Sequence, residues 1–248
     1  MEAASSAEPI IVCEHVSVAY GTEEVLHDVS LRVPRGAFVP FVGHNGAGKT
    51  TLLRVILGLL KPQQGRVLTP FDRSPPGYVP QQKSIDPLYP LSLRQIVRMG
   101  LYPRLGWWRR PGRDLRDAVE ATLRAFGLAD HAHKRYAELS GGMKQKALIA
   151  RALVSGADVI VMDEPTSELD EPSERDVMAH LVRLNREARK TVLLAHHGLD
   201  AVAWEASLVC LVKHGRVLLA PPEDLGLPAG QARPAPCPGT DAEGPSHA

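Results

Sequence analysis

The chain has 248 residues, 29 Lys and Arg against 28 Asp and Glu, a net charge of +1, and 44% hydrophobic residues. That length holds one large domain, or one domain with a subdomain, around a full core, and the balanced charge gives no preference for nucleic acid. Three isolated cysteines, Cys13, Cys210 and Cys237, argue against a disulfide frame or a zinc site and suit a reducing compartment.

Taken from the start, MEAASSAEP has neither the basic start nor the apolar core of a signal peptide, and residues 1–9 read as a flexible lead. No apolar run is long enough to span a bilayer, so a cytosolic chain is expected, with any membrane role coming through a partner. Residues 10–18 alternate as a strand ended by Tyr20-Gly21, and Val25 to Val33 reads as a second strand before the turn Pro34-Arg35-Gly36. The apolar run Phe38–Val42 predicts a buried strand. After it come Gly43-His44-Asn45-Gly46-Ala47-Gly48-Lys49-Thr50-Thr51 and a helical run to Leu60, closed by Lys61-Pro62-Gln63-Gln64-Gly65. Arg66–Leu68 and Gly77–Pro80 read as short strands around a polar loop.

From Leu91 the pattern turns helical. Ser92 is placed to cap Leu93–Met99, residues 103–113 read as a loop, and Asp114–Phe126 is amphipathic, with Leu115, Val119, Leu123 and Phe126 on one face before Gly127. Met143–Val154 predicts a helix, Val159–Met162 a buried strand, Glu174–Ala188 a helix, Thr191–Ala195 a strand, and Leu208–Val212 with Arg216–Leu219 a hairpin around His214-Gly215. Strands alternating with helices give an α/β class: a phosphate-loop core with an antiparallel β subdomain and a helical subdomain inserted at about residues 88–156. Residues 221–248, rich in Pro and Gly, read as a disordered tail after a domain at 10–220.

Gly43 to Thr51 fits G-x-x-x-x-G-K-[ST], in the strand–loop–helix context that this phosphate-binding motif needs. Glycines let successive N–H groups approach phosphates, and the helix adds its positive end. Lys49 would reach the β- and γ-phosphates of a nucleoside triphosphate, and the Thr50 hydroxyl would bind Mg²⁺. Asp163, at the end of an apolar strand, would hold the same Mg²⁺, and Glu164 would serve as the general base for an attacking water. Leu139-Ser140-Gly141-Gly142-Met143, opening a helix, is a second anion site, which a single nucleotide does not need.

Together these elements resemble the ATP-binding cassette family over roughly residues 10–220. Leu139–Met143 matches its LSGGQ signature with Met143 in place of Gln, and the resemblance implies that Ser140, Gly141 and Gly142 touch the γ-phosphate. Gln81 matches the glutamine that contacts the metal and the attacking water. Ser167-Glu168-Leu169-Asp170 matches the D-loop, with Asp170 its carboxylate. His197, two residues beyond Ala195, matches the switch histidine, although Gly198 replaces the usual Asp. Tyr20 matches the aromatic that stacks on adenine. The stretch from Tyr78 to Trp107 looks like the branch serving bacterial zinc and manganese uptake.

The resemblance implies an ATPase using ATP and Mg²⁺, paired head to tail with a second cassette on the inner face of the cell membrane. It further implies an integral membrane permease, bound through residues 82–108, and an extracytoplasmic substrate-binding protein acting indirectly. Trp107-Trp108 beside Arg109-Arg110 would suit the permease contact. Soluble cassette ATPases, and iron-chelate or lipid transporters, are the alternative readings.

Overall fold

The computed structural model describes residues 8–80, 90–105, 111–167, 169–196 and 205–227. The chain opens with long strands β1 (Pro9–Tyr20) and β2 (Glu23–Pro34), then β3 (Phe38–Val42) and helix α1 (Lys49–Ile56). Strands β4 (Gln64–Leu68) and β5 (Gly77–Val79) precede four helices: α2 (Leu93–Met99), α3 (Tyr102–Leu105), α4 (Arg113–Ala125) and α5 (Gly141–Val154). Strand β6 (Val159–Asp163), helix α6 (Glu171–Ala188) and strands β7 (Thr191–His196), β8 (Val209–Lys213) and β9 (Arg216–Ala220) complete the core.

Two sheets form. One is antiparallel, in the order β2-β1-β4; the other has six strands in the order β5-β6-β7-β3-β8-β9. The second is parallel from β5 to β8, and only β9 runs against its neighbour. The continuous apolar runs of β3, β6 and β7 have a direct cause: both faces of this sheet are covered. Phe38, Val42, Ile160, Met162, Val192 and Leu194 point into the core under the helical subdomain and α6. Val39, Phe41, Val161, Leu193 and Ala195 point into the core formed with α1 and the antiparallel sheet. Register aligns the ends: Val42 pairs with His196, and Asp163 with Ala195. Strands β3, β6 and β7 therefore end at one carboxyl edge, where open α/β sheets bind ligands.

The helical subdomain is tied down locally. Ser92 caps α2 as expected: its hydroxyl accepts from the Gln95 N–H at 3.3 Å, and its own N–H donates to Gln95 Oε1 at 2.8 Å. Gly100 lies so close to α5 that a Cβ there would run into the Arg151 carbonyl.

Several boundaries differ from the sequence reading. Helix α1 stops at Ile56, not Leu60, because Gly58 turns left-handed at φ +70° and leaves Leu59 64% exposed. A short helix, α3, and the start of α4 fall inside the expected loop 103–113. Helix α5 begins at Gly141 and α6 at Glu171. The expected tail disorder does not begin at residue 221. A 3₁₀ turn, Pro222–Leu225, follows β9, and Leu225 and Leu227 pack against the core. At the other end Glu8 already takes part, its carbonyl accepting from the Arg35 N–H at 3.2 Å.

Candidate functional site

The loop from Gly43 to Gly48 joins β3 to α1. Gly46 (φ +81°) and Gly48 (φ +104°) hold conformations that side chains rarely adopt, so these glycines permit the loop's path. Gly43 is needed for space: a Cβ there would run into the Val212 carbonyl of β8. Lys49 is buried, and its amine donates to the loop's own carbonyls, Gly43 O at 2.8 Å and His44 O at 3.2 Å. Ala47 sits within the loop, its N–H donating to His44 O at 3.1 Å.

The next residue ties the loop to the far strand. The Thr50 hydroxyl donates to Asp163 Oδ1 at 3.0 Å. Asp163 is 2% exposed. Burial raises its pKa above the usual carboxylate range and the charge of Glu164 adds to this, while the Thr50 hydrogen bond, Arg54 and Lys49 pull it back down. Glu164 stands in a left-handed conformation at φ +49°, its N–H donating to Ala195 O at 3.2 Å. A non-glycine residue held there costs about 1–3 kcal/mol and is a mark of functional sites. The turn is closed by Ser167, whose hydroxyl donates to Glu164 O at 3.1 Å.

These residues border one cavity of about 380 Å³, lined by Tyr20, Val25, Asn45, Gly46, Gly48, Lys49, Thr50, Thr51 and Glu164. Tyr20, at the end of β1, is 48% exposed, which leaves a ring face for a flat ligand. A buried amine, left-handed glycines and a helix N-terminus make the floor suited to phosphates. Thr50 and Asp163 supply the hydroxyl and carboxylate oxygens that suit Mg²⁺.

Other expected site residues lie elsewhere. Ser140 caps α5, its hydroxyl accepting from the Met143 N–H at 3.3 Å. Neither Ser140 nor Gly141 nor Gly142 lines the cavity. Met143 packs partly against the helical core. Asp170 does not reach the cavity either. It is spent as the N-cap of α6, accepting from the Ser173 N–H at 3.3 Å; the Ser173 side chain first, and this N–H after it, lower its pKa. Gln81, Gln82, Trp107 to Arg110, Glu168 and His197 lie outside the described residues. His196 is buried, with Nε2 3.2 Å from Glu174 Oε1.

Two residues escaped the sequence reading. Val25 lines the cavity but is indistinguishable in sequence from any strand valine. Glu174 joins two strand ends, accepting from the Thr166 hydroxyl at 3.1 Å while contacting His196. Its position in an amphipathic helix gave no signal.

The fold agrees with the comparisons. Residues 26–167 match the ABC transporter family model. The chain belongs to the ABC transporter family. Its fold is that of an ATPase cassette. The manganese transport system ATP-binding protein MntB of Bacillus subtilis is 37% identical over 217 residues, 86% of each chain. The zinc transport system ATP-binding protein TroB of Treponema pallidum is 37% identical over 195 residues, covering 77% of this chain and 73% of that protein. Among solved structures, the dimer of a bacterial ABC transporter cassette superposes with a TM-score of 0.74 at 30% identity, over 84% of this cassette and 96% of that chain. A metal-chelate type ABC transporter in an inward-facing conformation gives a TM-score of 0.77 at 27% identity, over 88% and 85% of the two chains. Among the described residues of the cassette, no helix is long and apolar enough to cross a membrane.

Proposed function

We propose that this cassette powers a membrane importer for a metal ion of the zinc or manganese type, working as a head-to-tail pair. The observation that carries the pairing is the one-sidedness of the cavity. Among the described residues, the nine that line it come from β1, β2, the phosphate loop with α1, and the turn after β6, and the serine-glycine start of α5 contributes none of them. A second copy would supply Ser140, Gly141 and Gly142 from its own α5, and two-fold symmetry would complete both sites together. The relatives that act on manganese and zinc support the cargo.

ATP would lie with its adenine on Tyr20 and its phosphates over Gly43–Thr51. Lys49 would exchange the Gly43 and His44 carbonyls for the β- and γ-phosphates. Thr50 and Asp163, with Gln81, would hold Mg²⁺, which would supply charge neutralisation for the phosphates. Glu164 would take the proton of the attacking water, and His197 would contact the γ-phosphate. Asp170 would meet the partner across the interface while keeping its cap. ATP binds the closed pair better than the open one, so its hydrolysis releases closure. An integral permease would convert that motion into alternating access, fed by an extracytoplasmic binding protein, with the cassette peripheral on the cytoplasmic face.

Glu164→Gln with ATP and Mg²⁺ tests the pairing. Size-exclusion chromatography should show a trapped dimer, and a persistent monomer counts against it. Iron-chelate cargo is a second reading, favoured by a probable siderophore transport relative in Bacillus subtilis at 33% identity over 84% of this chain. Metal accumulation in a deletion strain separates the two. Loss of zinc or manganese supports the first, and loss of chelated iron alone supports the second.

A further inference from the structure

The turn of the β8–β9 hairpin is built against the phosphate loop. His214, with φ +48°, and Gly215, with φ +71°, form the two-residue turn between Lys213 and Arg216. The ring of His214 lies 5.5 Å from that of His44, centroid to centroid, tilted by 55°. The His44 Nδ1–H in turn donates to the carbonyl of Asn45 at 2.8 Å. Asn45 lines the nucleotide cavity, whereas neither His44 nor His214 does.

The hairpin turn is itself anchored. The His27 N–H donates to Gly215 O at 2.9 Å, and a Cβ at Gly215 would run into the His27 ring. Next to it, a Cβ at Gly43 would meet the Val212 carbonyl, and one at Gly48 would lie 3.1 Å from the Val25 carbonyl. The loop is thus held between β2 and the hairpin turn. A glycine-rich loop has few side chains with which to fix itself, and any ordering left undone before binding is charged to the ligand.

We propose that His214 is a positioning residue for nucleotide binding, acting through His44 to hold the Asn45 end of the phosphate loop in its bound form. The proposal rests on the reading of Gly43–Thr51 as an ATP site. His214 touches no reacting atom. Its loss leaves the loop to be ordered at the expense of ATP affinity, and once ATP is bound the same geometry is reached. The effect therefore falls on Kd and KM rather than on kcat.

The test is a double-mutant cycle in the full chain, read by titration with a fluorescent ATP analogue. His214→Asn keeps the left-handed turn, which Asn tolerates, and removes the ring. His44→Ala removes the other ring. Each single variant should bind about three- to tenfold more weakly, and the double variant no more weakly than the worse single, since one contact is lost in all three. In His214→Asn, KM for ATP should rise while kcat changes less than about twofold. His214→Phe, which restores a flat ring, should recover most of the affinity. Unchanged affinity in His214→Asn, effects that multiply in the double variant, or equal losses in kcat and affinity would each overturn the proposal. Wild-type protein that binds no ATP would instead defeat the phosphate-loop reading and the proposal with it.

Discussion

Thr50 and Asp163, 113 positions apart, meet at 3.0 Å, the hydroxyl of α1 donating to the carboxylate at the end of β6. That bond ties the first turn of α1, beside the cavity, to the end of β6, and it carries a cost. Because burial raises the Asp163 pKa, the folded chain holds that proton more tightly than the unfolded chain does. Above the unfolded pKa, the carboxylate's charge therefore subtracts from stability. Asp163→Asn keeps an acceptor for Thr50 and removes the charge. Its melting temperature in EDTA should rise. Its Mg²⁺-dependent phosphate release should fall by about 10²-fold or more. A variant that loses both stability and activity would show that the charge is compensated in the fold.

What could be read from the sequence follows from how local each signal is. The glycine loop after β3, and the place of Asp163 and Glu164 at the end of β6, were legible because short motifs follow five-residue apolar strands buried on both faces. The cavity added Val25 because lining depends on where β2 crosses the loop. Glu174 was hidden because its partners, Thr166 and His196, come from other elements and meet it only in the fold. The end of α1 was misjudged because Leu57, Leu59 and Leu60 continue an apolar run that Gly58 breaks. Asp170 was read only as the D-loop carboxylate of the nucleotide site, because a helix cap and a ligand contact use the same residue type. The ordered segment after β9 was missed because Leu225 and Leu227 are sparse anchors in a Pro-rich stretch.

Gly43→Ala should fail on packing. Gly43 is not among the left-handed glycines, so the penalty is steric: its new Cβ would meet the backbone carbonyl of Val212, which cannot swing aside. About 1–3 kcal/mol of stability should be lost, and ATP affinity should weaken by about tenfold or more. Chemical denaturation and nucleotide titration measure the two.

Gly142→Ala should do the reverse. Among the described residues, a Cβ there meets only Leu169 Cδ2 at 3.6 Å, an ordinary contact, within the first turn of α5. Stability should be unchanged or raised by up to about 1 kcal/mol, from the gain in helix propensity. ATP binding to the monomer should persist, and hydrolysis should drop about tenfold or more because Gly142 would face a partner's γ-phosphate. Full hydrolysis in this variant would argue against the head-to-tail site.

Cys13 and Cys210 give a pH prediction that is independent of nucleotide. Burial pushes the Cys13 thiol up from 9.0 to about 12, and pushes Cys210 up further, with Cys13 adding to it. Both stay protonated and unreactive in the fold. At pH 8 neither should be labelled by a thiol reagent until denaturant is added, as mass spectrometry of the two peptides would show. Above pH 9 the unfolded chain releases protons that the folded chain keeps. Stability should then fall by about 1.4 kcal/mol per pH unit for each thiol, until pH reaches the folded value.

Glu174 separates support of the turn after Glu164 from binding. Its Oε1 accepts from the Thr166 hydroxyl at 3.1 Å and lies 3.2 Å from His196 Nε2, so one carboxylate ties the turn after Glu164 to the end of β7. None of the three residues lines the nucleotide cavity. Glu174→Ala takes the shared acceptor from two buried groups, which should cost about 1–3 kcal/mol. ATP affinity should stay within about twofold, because the phosphate loop is untouched. Hydrolysis should fall by about tenfold, because both the Glu164 turn and the strand that leads to His197 lose their common tether. Glu174→Gln keeps an acceptor oxygen and should recover most of the stability. If Glu174→Ala weakened ATP binding as much as hydrolysis, the tether would have to extend to the phosphate loop itself, through the Ala195 carbonyl that accepts from the Glu164 N–H.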